Sequence, residues 1–455
     1  MTPHGWPWEA TPAGAVDGTA VITPGRPLVG RLRVPGDKSV SHRVLLLAAR
    51  AGGVSTIKGL SDGDDVRRTA LAVSAAGALI EAVPGPGAGA RGRLGLPGVG
   101  EVRVAGGPGD LREPEVPLDL GNSGTAMRLL AGWLAAFPWF SVLYGDQYLA
   151  RRPMGRVVEP LRLMGAAIEG RGGGTLPPLA VNGGHLTGID YALPVASAQV
   201  KGAVLLAGLG AEGVTTVREP APVRAHTEEL LAACGADVQV TGDGAVVSVR
   251  ASELRPLTVE VPGDPSQAAF WVVAGCVVPG SDVTVEGVYV GRARAGFLDV
   301  LARMGADVEV TMVDDTTADI RARHSALSAT VVEGAEVPGL IDEIPALAVA
   351  AVFADGVTEF RDAAELAVKE TDRIATTTAA LRAFGAEAEA RADGFAVRGG
   401  TPVAGGEVDS AGDHRVGMAA AVAALAASAP SRVRGWEAVA TSYPAFLTDL
   451  ETLQG

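Results

Sequence analysis

A six-fold repeat constrains the fold of this chain more than any other feature of its sequence. Each repeat opens with a short polar motif, continues into a helix rich in Ala, Leu and Val, and reaches a second helix that ends in Gly-Ala and an alternating strand. The openings recur at intervals of roughly 70 to 85 residues, longer than the units of small solenoids. They read GDKSVSHR at 36, GNSGTAMR at 121, SAQVKGA at 197, DPSQAAF at 264, IDEIPAL at 341 and GDHRVGM at 412. This alternation predicts an α/β protein.

The sixth repeat is incomplete, because it stops at Phe446-Leu447 before any Gly-Ala strand. Residues 19–34 alternate enough to form a strand pair that turns at Pro24-Gly25. We therefore expect this N-terminal segment to supply the missing strands.

Six repeats in 455 residues divide most simply into two domains of three repeats each. The Gly- and Pro-bearing stretches near Val34-Pro35-Gly36 and near Val259–Gly263 are the predicted crossings between them. The expected parts are a disordered tail at residues 1–18, a domain of residues 19–34 plus 262–455, and a second domain of residues 35–261.

Composition and charge exclude several classes of partner. The formal net charge of -14 argues against nucleic acid or an anionic membrane as the main partner. No stretch approaches the ~18 consecutive apolar residues of a membrane-spanning helix. Cys234 and Cys276 are far apart and flanked by small apolar residues, which predicts buried reduced thiols and a cytoplasmic protein.

The first opening places Lys38 and Arg43 in the first turn of a predicted helix. The helix dipole already makes that end positive, so cations there are unfavourable unless an anion binds beside them. An anion-binding site is therefore the first hypothesis for this motif, and a solvent-exposed basic turn is the alternative. A nucleotide phosphate loop is excluded, because Asp37 stands where that motif requires Gly.

The repeat openings and their companion motifs supply a set of charged and polar side chains that suits small anionic ligands. Arg, Lys, Gln and hydroxyl groups together bind phosphates and carboxylates, and two acids among such cations are available as general base and general acid. The cations are Lys38, Arg43, Arg152, Lys201, Lys369, Arg373, His414 and Arg415, the acids are Asp342, Glu370 and Asp413, and the neutral donors are Ser39, Asn122, Ser123, Thr125, Ser197 and Gln199. We expect a transfer between small anions that needs neither a metal nor a cofactor.

The motifs GDKSVSHR, LGNSGTAMR, RRPM, SAQVK, KETDR and GDHR occur in this order between Val34 and Leu450. Together they make the chain resemble the 5-enolpyruvylshikimate-3-phosphate synthase family. The resemblance implies two α/β domains, each of three βαβαββ units with pseudo-threefold symmetry (an inside-out α/β barrel), and an active site in the cleft between them.

The resemblance also implies an activity and its residues. The family transfers the enolpyruvyl group of phosphoenolpyruvate to the 5-hydroxyl of shikimate 3-phosphate and releases phosphate, in the biosynthesis of aromatic amino acids. Asp342 is then the base, and Glu370 acts with Lys38 on the proton of the methylene carbon. The implied shikimate 3-phosphate site is Lys38, Ser39, Arg43, Ser197, Ala198, Gln199, Asp342 and Lys369. The implied phosphoenolpyruvate site is Lys38, Asn122, Gly124, Arg152, Gln199, Arg373 and Arg415.

Two positions depart from the pattern of many family members. Thr441 stands where many have Lys, and Ala198 stands where some have a second Ser. Three alternatives stay open: a shikimate-like acceptor, UDP-N-acetylglucosamine as the acceptor, and a catalytically silent anion-binding scaffold. The family that acts on UDP-N-acetylglucosamine has a Lys-Asn pair in its first repeat and a reactive Cys near the RP motif, whereas this chain has Lys38-Ser39 and no Cys in GDQYLARRPM, so the second is disfavoured. The third is disfavoured because Asp342, Glu370 and the Arg residues are all present. We expect a monomer.

Overall fold

The computed structural model describes residues 18–84 and 99–455 of the chain. Of the predicted tail, residues 1–17 lie outside the described residues. Two compact units are present: a first unit of the described residues between Gly36 and Val261, and a second unit of Pro262–Gly455 with the N-terminal segment up to Pro35.

Besides four short 3₁₀ helices, the described residues form fourteen α-helices, two of which are only four residues long. They are α1 (Lys38–Arg50), α2 (Asp64–Ala75), α3 (Gly124–Ala135), α4 (Gly155–Leu163), α5 (Arg171–Gly174), α6 (Ala198–Gly208), α7 (His226–Ala233), α8 (Pro265–Val277), α9 (Gly296–Arg303), α10 (Val337–Leu340), α11 (Ile344–Val352), α12 (Arg373–Ala383), α13 (His414–Leu425) and α14 (Phe446–Gln454). None of these helices is both long and apolar enough to cross a membrane.

The same residues form twenty-five strands. They are β1 (Thr19–Ile22), β2 (Val29–Leu32), β3 (Gly53–Lys58), β4 (Leu79–Pro84), β5 (Val99–Gly106), β6 (Leu118–Asp119), β7 (Phe140–Tyr144), β8 (Ala167–Gly170), β9 (Leu176–Asn182), β10 (Leu186–Thr187), β11 (Asp190–Ala192), β12 (Ala211–Glu212), β13 (Val214–Arg218), β14 (Val238–Thr241), β15 (Val246–Arg250), β16 (Thr258–Glu260), β17 (Asp282–Tyr289), β18 (Asp307–Met312), β19 (Thr317–Arg323), β20 (Val331–Val332), β21 (Val357–Phe360), β22 (Glu387–Arg391), β23 (Gly394–Arg398), β24 (Glu407–Asp409) and β25 (Ser431–Arg434).

The polar openings of the repeats start helices, as predicted. Five of the six first helices have a capping side chain that accepts a backbone N–H of the first turn, which satisfies a donor that the helix itself leaves unpaired. The capping residues are Asp37, Ser123, Ser197, Asp264 and Asp413. The other first helix, α11, has a proline in its first turn instead.

The Gly-Ala endings also behave as predicted. Helices α2, α4, α7, α9 and α12 are each followed by a glycine in a positive-φ conformation, with φ between 75° and 109°. A residue with a Cβ is strained in that conformation, which explains the recurrence of glycine. The strands that follow are β4, β8, β14, β18 and β22.

Each complete repeat makes one four-stranded sheet with a parallel edge strand and three further strands. The strand orders are β16-β3-β5-β4, β6-β7-β9-β8 and β11-β13-β15-β14 in the first unit, and β2-β17-β19-β18 and β20-β21-β23-β22 in the second. This recurring order agrees with the expected βαβαββ units. The sixth repeat makes a three-stranded sheet, β1-β25-β24.

The predicted strand pair within residues 19–34 is wrong. β1 pairs antiparallel with β25 of the sixth repeat, whereas β2 pairs parallel with β17 of the fourth. The two strands are separated because Leu28 is buried and its N–H donates to Ser281 Oγ at 2.8 Å, which ties the connecting segment beside β17. The N-terminal segment thus supplies one strand to each of two sheets.

The first helices of the repeats form the interior of each unit. All thirteen residues of α8 are buried, and α3, α6, α11 and α13 are buried over nearly their whole length. A helix that is apolar on every side is stable only when it is surrounded by other elements. In the first unit α3 and α6 approach so closely that a Cβ on Gly132 would lie 2.1 Å from the carbonyl oxygen of Ala203.

This close approach predicts the effect of adding one methyl group. Gly132→Ala places its Cβ against backbone that cannot move aside, and we expect a loss of about 1–3 kcal/mol of stability. Gly155→Ala is the matched control, because its Cβ would meet nothing closer than Thr175 Cγ2 at 3.5 Å. Urea unfolding should show a lower midpoint for Gly132→Ala alone; equal midpoints for the two variants would contradict the packing described.

Candidate active site

Hydrogen bonds join the first turns of α1, α3 and α6 in the first unit. Arg43 is only 2% exposed, and its guanidinium donates to the carbonyl oxygens of Ser39 at 2.8 Å and Ala198 at 3.0 Å. On α6, Gln199 Nε2 donates to Thr125 Oγ1 of α3 at 2.8 Å. Side-chain hydrogen bonds therefore link the N-terminus of α6, with its partial positive charge, to those of α1 and α3.

Lys38 and Ser39, the first two residues of α1, each contact a charged side chain. The ammonium of Lys38 lies 2.9 Å from the carboxylate of Asp65, with 15% of the lysine side chain exposed. The guanidinium of Arg224 donates to Ser39 Oγ at 3.5 Å. Arg43 Nε donates to Thr227 Oγ1 at 2.7 Å, so α7 also contributes to this part of the first unit.

Gln199 is held from two sides. Its amide nitrogen contacts Thr125, as above, and its amide oxygen accepts a hydrogen bond from Arg128. Arg128 in turn donates to the carbonyl oxygen of Pro153 at 3.1 Å. This chain of contacts fixes the orientation of the Gln199 amide and brings the RRPM motif next to α3.

Arg152 lies directly against the start of α3. A Cβ on Gly124 would come within 2.7 Å of the Arg152 guanidinium carbon, so the absence of a side chain at position 124 allows this approach. Asn122 Oδ1 is buried and has no hydrogen-bond partner among the described residues. An unpartnered buried polar atom is costly, which is consistent with a site that a polar ligand completes.

In the second unit, Arg373 is the centre of a cluster of carboxylates. Its Nε lies 2.8 Å from Asp413 Oδ2 and its Nη2 lies 2.5 Å from Glu370 Oε2. Its Nη1 lies 3.4 Å from Asp342 Oδ1. A guanidinium with donors in a planar fork is suited to hold three acids in this way.

Burial and charge act in opposite directions on this cluster. Burial alone would lower the pKa of the Arg373 guanidinium, but Asp413 and Glu370 outweigh it and raise the pKa above its ordinary value. Burial would likewise raise the pKa of the Asp413 carboxyl, but the charge of Arg373 holds that pKa below its usual value. Arg373 and Asp413 therefore form a charged pair in the interior of the unit.

Asp342 is a partly exposed acid that also contacts Arg373. Its carboxylate is 17% exposed and lies 3.3 Å from Lys369 Nζ. Its backbone oxygen accepts a hydrogen bond from Arg415 at 3.0 Å. A carboxylate that lies between these cations and is partly open to solvent is a candidate for accepting a proton from a ligand hydroxyl.

Lys201, one of the cations grouped in the sequence, and Thr441, one of the two departing positions, both make their contacts inside the protein. Lys201 is fully buried between Glu219 and Glu228, so its charge is satisfied inside the protein rather than presented to a ligand. Thr441 donates to the carbonyl oxygen of Ala438 at 2.7 Å and lies 3.4 Å from His414 Nδ1.

A family model described as EPSP synthase (3-phosphoshikimate 1-carboxyvinyltransferase) matches residues 22–450. This range includes the joined helix starts of the first unit and the Arg373 cluster of the second. The chain belongs to the EPSP synthase family. It is 49% identical over 436 residues to the 3-phosphoshikimate 1-carboxyvinyltransferase of Gloeobacter violaceus, a match that covers 94% of this chain and 97% of that protein. The corresponding protein of Acaryochloris marina is 47% identical over 434 residues, which is 94% of each chain.

Solved structures give the same assignment. An EPSP synthase structure from Acinetobacter baumannii superposes with a TM-score of 0.82 and 40% identity, and covers 96% of this chain and 98% of that one. The enolpyruvyl transferase NikO from Streptomyces tendae superposes with a TM-score of 0.76 at 20% identity, over 95% and 96% of the two chains. At that identity NikO shows a shared fold alone. The two-domain α/β fold expected from the motifs is therefore confirmed.

Two arginines that contact predicted site residues, Arg128 and Arg224, were not themselves predicted as site residues from the sequence. Arg128 stands at the end of the LGNSGTAMR motif, four residues after Gly124, and this helical spacing could have pointed to it. Arg224 lies outside every repeat opening, in the segment before α7, and only the folded chain brings it beside Ser39.

The Arg373 cluster predicts an unequal cost for two Arg→Met substitutions in the second unit. Arg373→Met leaves the fully buried Asp413 without its counter-ion, and we expect a loss of about 3–5 kcal/mol of stability. Arg398→Met removes an exposed pair with Glu387 and should cost no more than about 1 kcal/mol. Urea unfolding of both variants tests this; a small loss in Arg373→Met would show that the cluster is not a buried charge pair.

Proposed function

We propose that this chain transfers the enolpyruvyl group of phosphoenolpyruvate to the 5-hydroxyl of shikimate 3-phosphate and releases phosphate, a step of the shikimate pathway towards aromatic amino acids. The observation that carries the proposal is the family match over residues 22–450, a range that includes the acids, the lysines and the arginines described above. Relatives that cover nearly the whole chain carry the name of this activity.

We assign the shikimate 3-phosphate contacts to residues at the helix starts of the first unit and to Asp342 and Lys369 of the second. Arg43 joins Ser39 of α1 to the start of α6, and the partial positive charge of these two helix N-termini favours a phosphate. Arg224, 3.5 Å from Ser39 Oγ, belongs to the same group. The full proposed set is Lys38, Ser39, Arg43, Ser197, Ala198, Gln199, Arg224, Asp342 and Lys369.

We assign phosphoenolpyruvate, with its phosphate and carboxylate, to the arginines. Arg152, held against Gly124, and Arg373 and Arg415 beside Asp342 supply the guanidinium donors that match such groups. The full proposed set is Lys38, Asn122, Gly124, Arg152, Gln199, Arg373 and Arg415.

In the proposed reaction Asp342 takes the proton of the 5-hydroxyl as the oxygen attacks C2 of phosphoenolpyruvate. Glu370, with Lys38, delivers a proton to the methylene carbon, which becomes a methyl group in a tetrahedral intermediate. Loss of a proton from that methyl group then restores the double bond as the bond between C2 and the phosphate oxygen breaks. The cations stabilise the negative charge that accumulates on the phosphate.

We also propose that the protein is a cytoplasmic monomer. Cys234 and Cys276 are buried free thiols, and burial raises the pKa of each to about 12. Such thiols are inert and typical of proteins from a reducing compartment.

The acceptor identifies the function most clearly. Purified protein should release phosphate from phosphoenolpyruvate when shikimate 3-phosphate is present, and not when UDP-N-acetylglucosamine or unphosphorylated shikimate replaces it. A phosphate assay with each acceptor measures this. The proposal would be contradicted if phosphate were released with UDP-N-acetylglucosamine but not with shikimate 3-phosphate. It would also be contradicted if none of the three acceptors supported phosphate release.

Asp342 can be tested by removing only its basicity. Asp342→Asn keeps an oxygen that accepts from Lys369 and Arg373, and we expect kcat to fall by about 10²–10⁴-fold while both substrates still bind. Asp372→Asn is the control, because Asp372 caps α12 and Asn caps a helix equally well. An unchanged kcat in Asp342→Asn, or an equal loss in the two variants, would remove Asp342 from the proton transfer.

A further inference from the structure

A buried ion cluster in the first unit plays no part in the proposed chemistry. Lys201 of α6 lies 2.6 Å from Glu219, which follows β13, and 2.7 Å from Glu228 of α7. The side chains of Lys201 and Glu219 have no exposed surface and that of Glu228 is 4% exposed. Three charges have thus been taken out of water at one place, which costs several kcal/mol per ion unless their contacts compensate.

The two glutamates make different contacts although they share the lysine. Glu228 Oε1 accepts from Lys201, and its second oxygen has no partner among the described residues. Burial raises the pKa of Glu228, with Lys201 acting against this. Both oxygens of Glu219 are occupied, because Oε2 also accepts the backbone N–H of Val223 at 3.1 Å.

The bond from Val223 to Glu219 closes the segment that carries Arg224. Two of the three residues between Glu219 and Val223 are Pro220 and Pro222, which have no N–H to donate. The start of the segment is anchored to the sheet, because the N–H of Glu219 donates to the carbonyl oxygen of Ala245 at 2.8 Å. Arg224 follows Val223 directly, and its guanidinium reaches Ser39 Oγ.

We propose that Glu219, fixed by Lys201, positions Arg224 beside Ser39 and thereby sets the affinity for the phosphate of the acceptor. Glu219 is a positioning residue, since it acts through Arg224 and touches no substrate. The inference rests on the proposed function, because it assumes that Ser39, Arg43 and Arg224 bind the phosphate group of shikimate 3-phosphate. It predicts an effect on that substrate and none on phosphoenolpyruvate.

The matched pair Glu219→Gln and Glu228→Gln separates positioning from simple stabilisation. Each variant removes one negative charge from the same cluster and leaves Lys201 with one carboxylate. In Glu219→Gln the new amide has one acceptor oxygen where two are used, so it loses Lys201 or Val223, whereas the amide in Glu228→Gln keeps the single contact made there. We expect the KM for shikimate 3-phosphate to rise roughly 10-fold in Glu219→Gln, which is the effect expected from the loss of one buried hydrogen bond. The kcat and the KM for phosphoenolpyruvate should stay within about 2-fold of wild type. Glu228→Gln should match wild type in all three.

Arg224→Met supplies the second line of evidence. It should raise the same KM selectively, and adding Glu219→Gln to it should raise that KM no further, because the two residues act in series. If Glu219→Gln fails to fold, Arg224→Met decides: an unchanged KM for shikimate 3-phosphate overturns the proposal. Equal KM values in the two Gln variants, or additive effects in the double variant, overturn it as well.

Calorimetric titration of each variant with shikimate 3-phosphate gives a readout that does not depend on turnover. Weaker binding in Glu219→Gln than in Glu228→Gln supports positioning. If wild type binds shikimate 3-phosphate but releases no phosphate, the proposed function fails while the positioning inference is still judged by these titrations. If wild type does not bind it, both fail.

Discussion

The polar interior of this protein depends on buried cations that are each shared between carboxylates at the ends of helices and strands. Arg373 holds Asp413 and Glu370, and Lys201 holds Glu219 and Glu228. In the second unit Arg294 lies 2.6 Å from Asp264 and 2.7 Å from Glu343, the neighbour of Asp342. Such clusters are costly to desolvate and weak evidence of stability, but they fix the first turns of neighbouring helices relative to one another. That fixed geometry is what places Asp342, Lys369 and Arg415 together.

Locally placed cations and helix N-termini explain how an acidic protein of this family can perform the proposed reaction on anions. With a formal net charge of -14, the long-range field opposes phosphates and carboxylates. Arg43, Arg152 and the N-termini of α1, α3 and α6 instead carry positive charge or partial positive charge, and salt screens such groups less when they are partly buried. In the proposed function, anion binding is therefore a property of a few positioned groups.

Local signals in the sequence predicted most of the fold. Helix starts could be located because a capping Asp or Ser acts within three residues, and helix ends because glycine tolerates positive φ. The placement of β1 and β2 in separate sheets could not be predicted from local signals, because their partners β25 and β17 lie hundreds of residues away. The same limit applied to the site: motifs indicated Asp342, Glu370 and Arg373, but nothing local distinguished the buried Lys201 from a lysine that meets a ligand, or pointed to Arg224.

The central claim is that Asp342, Glu370 and Lys38 carry out an addition followed by an elimination. In this account Glu370 moves a proton on and off the methylene carbon of phosphoenolpyruvate. Turnover in D₂O, followed by NMR of the product, tests it most directly. In D₂O the methyl group of the tetrahedral intermediate receives a deuteron that comes from the solvent. The account therefore predicts deuterium in the methylene of the transferred enolpyruvyl group. Product that forms at the normal rate in D₂O with no deuterium at that carbon would contradict the account.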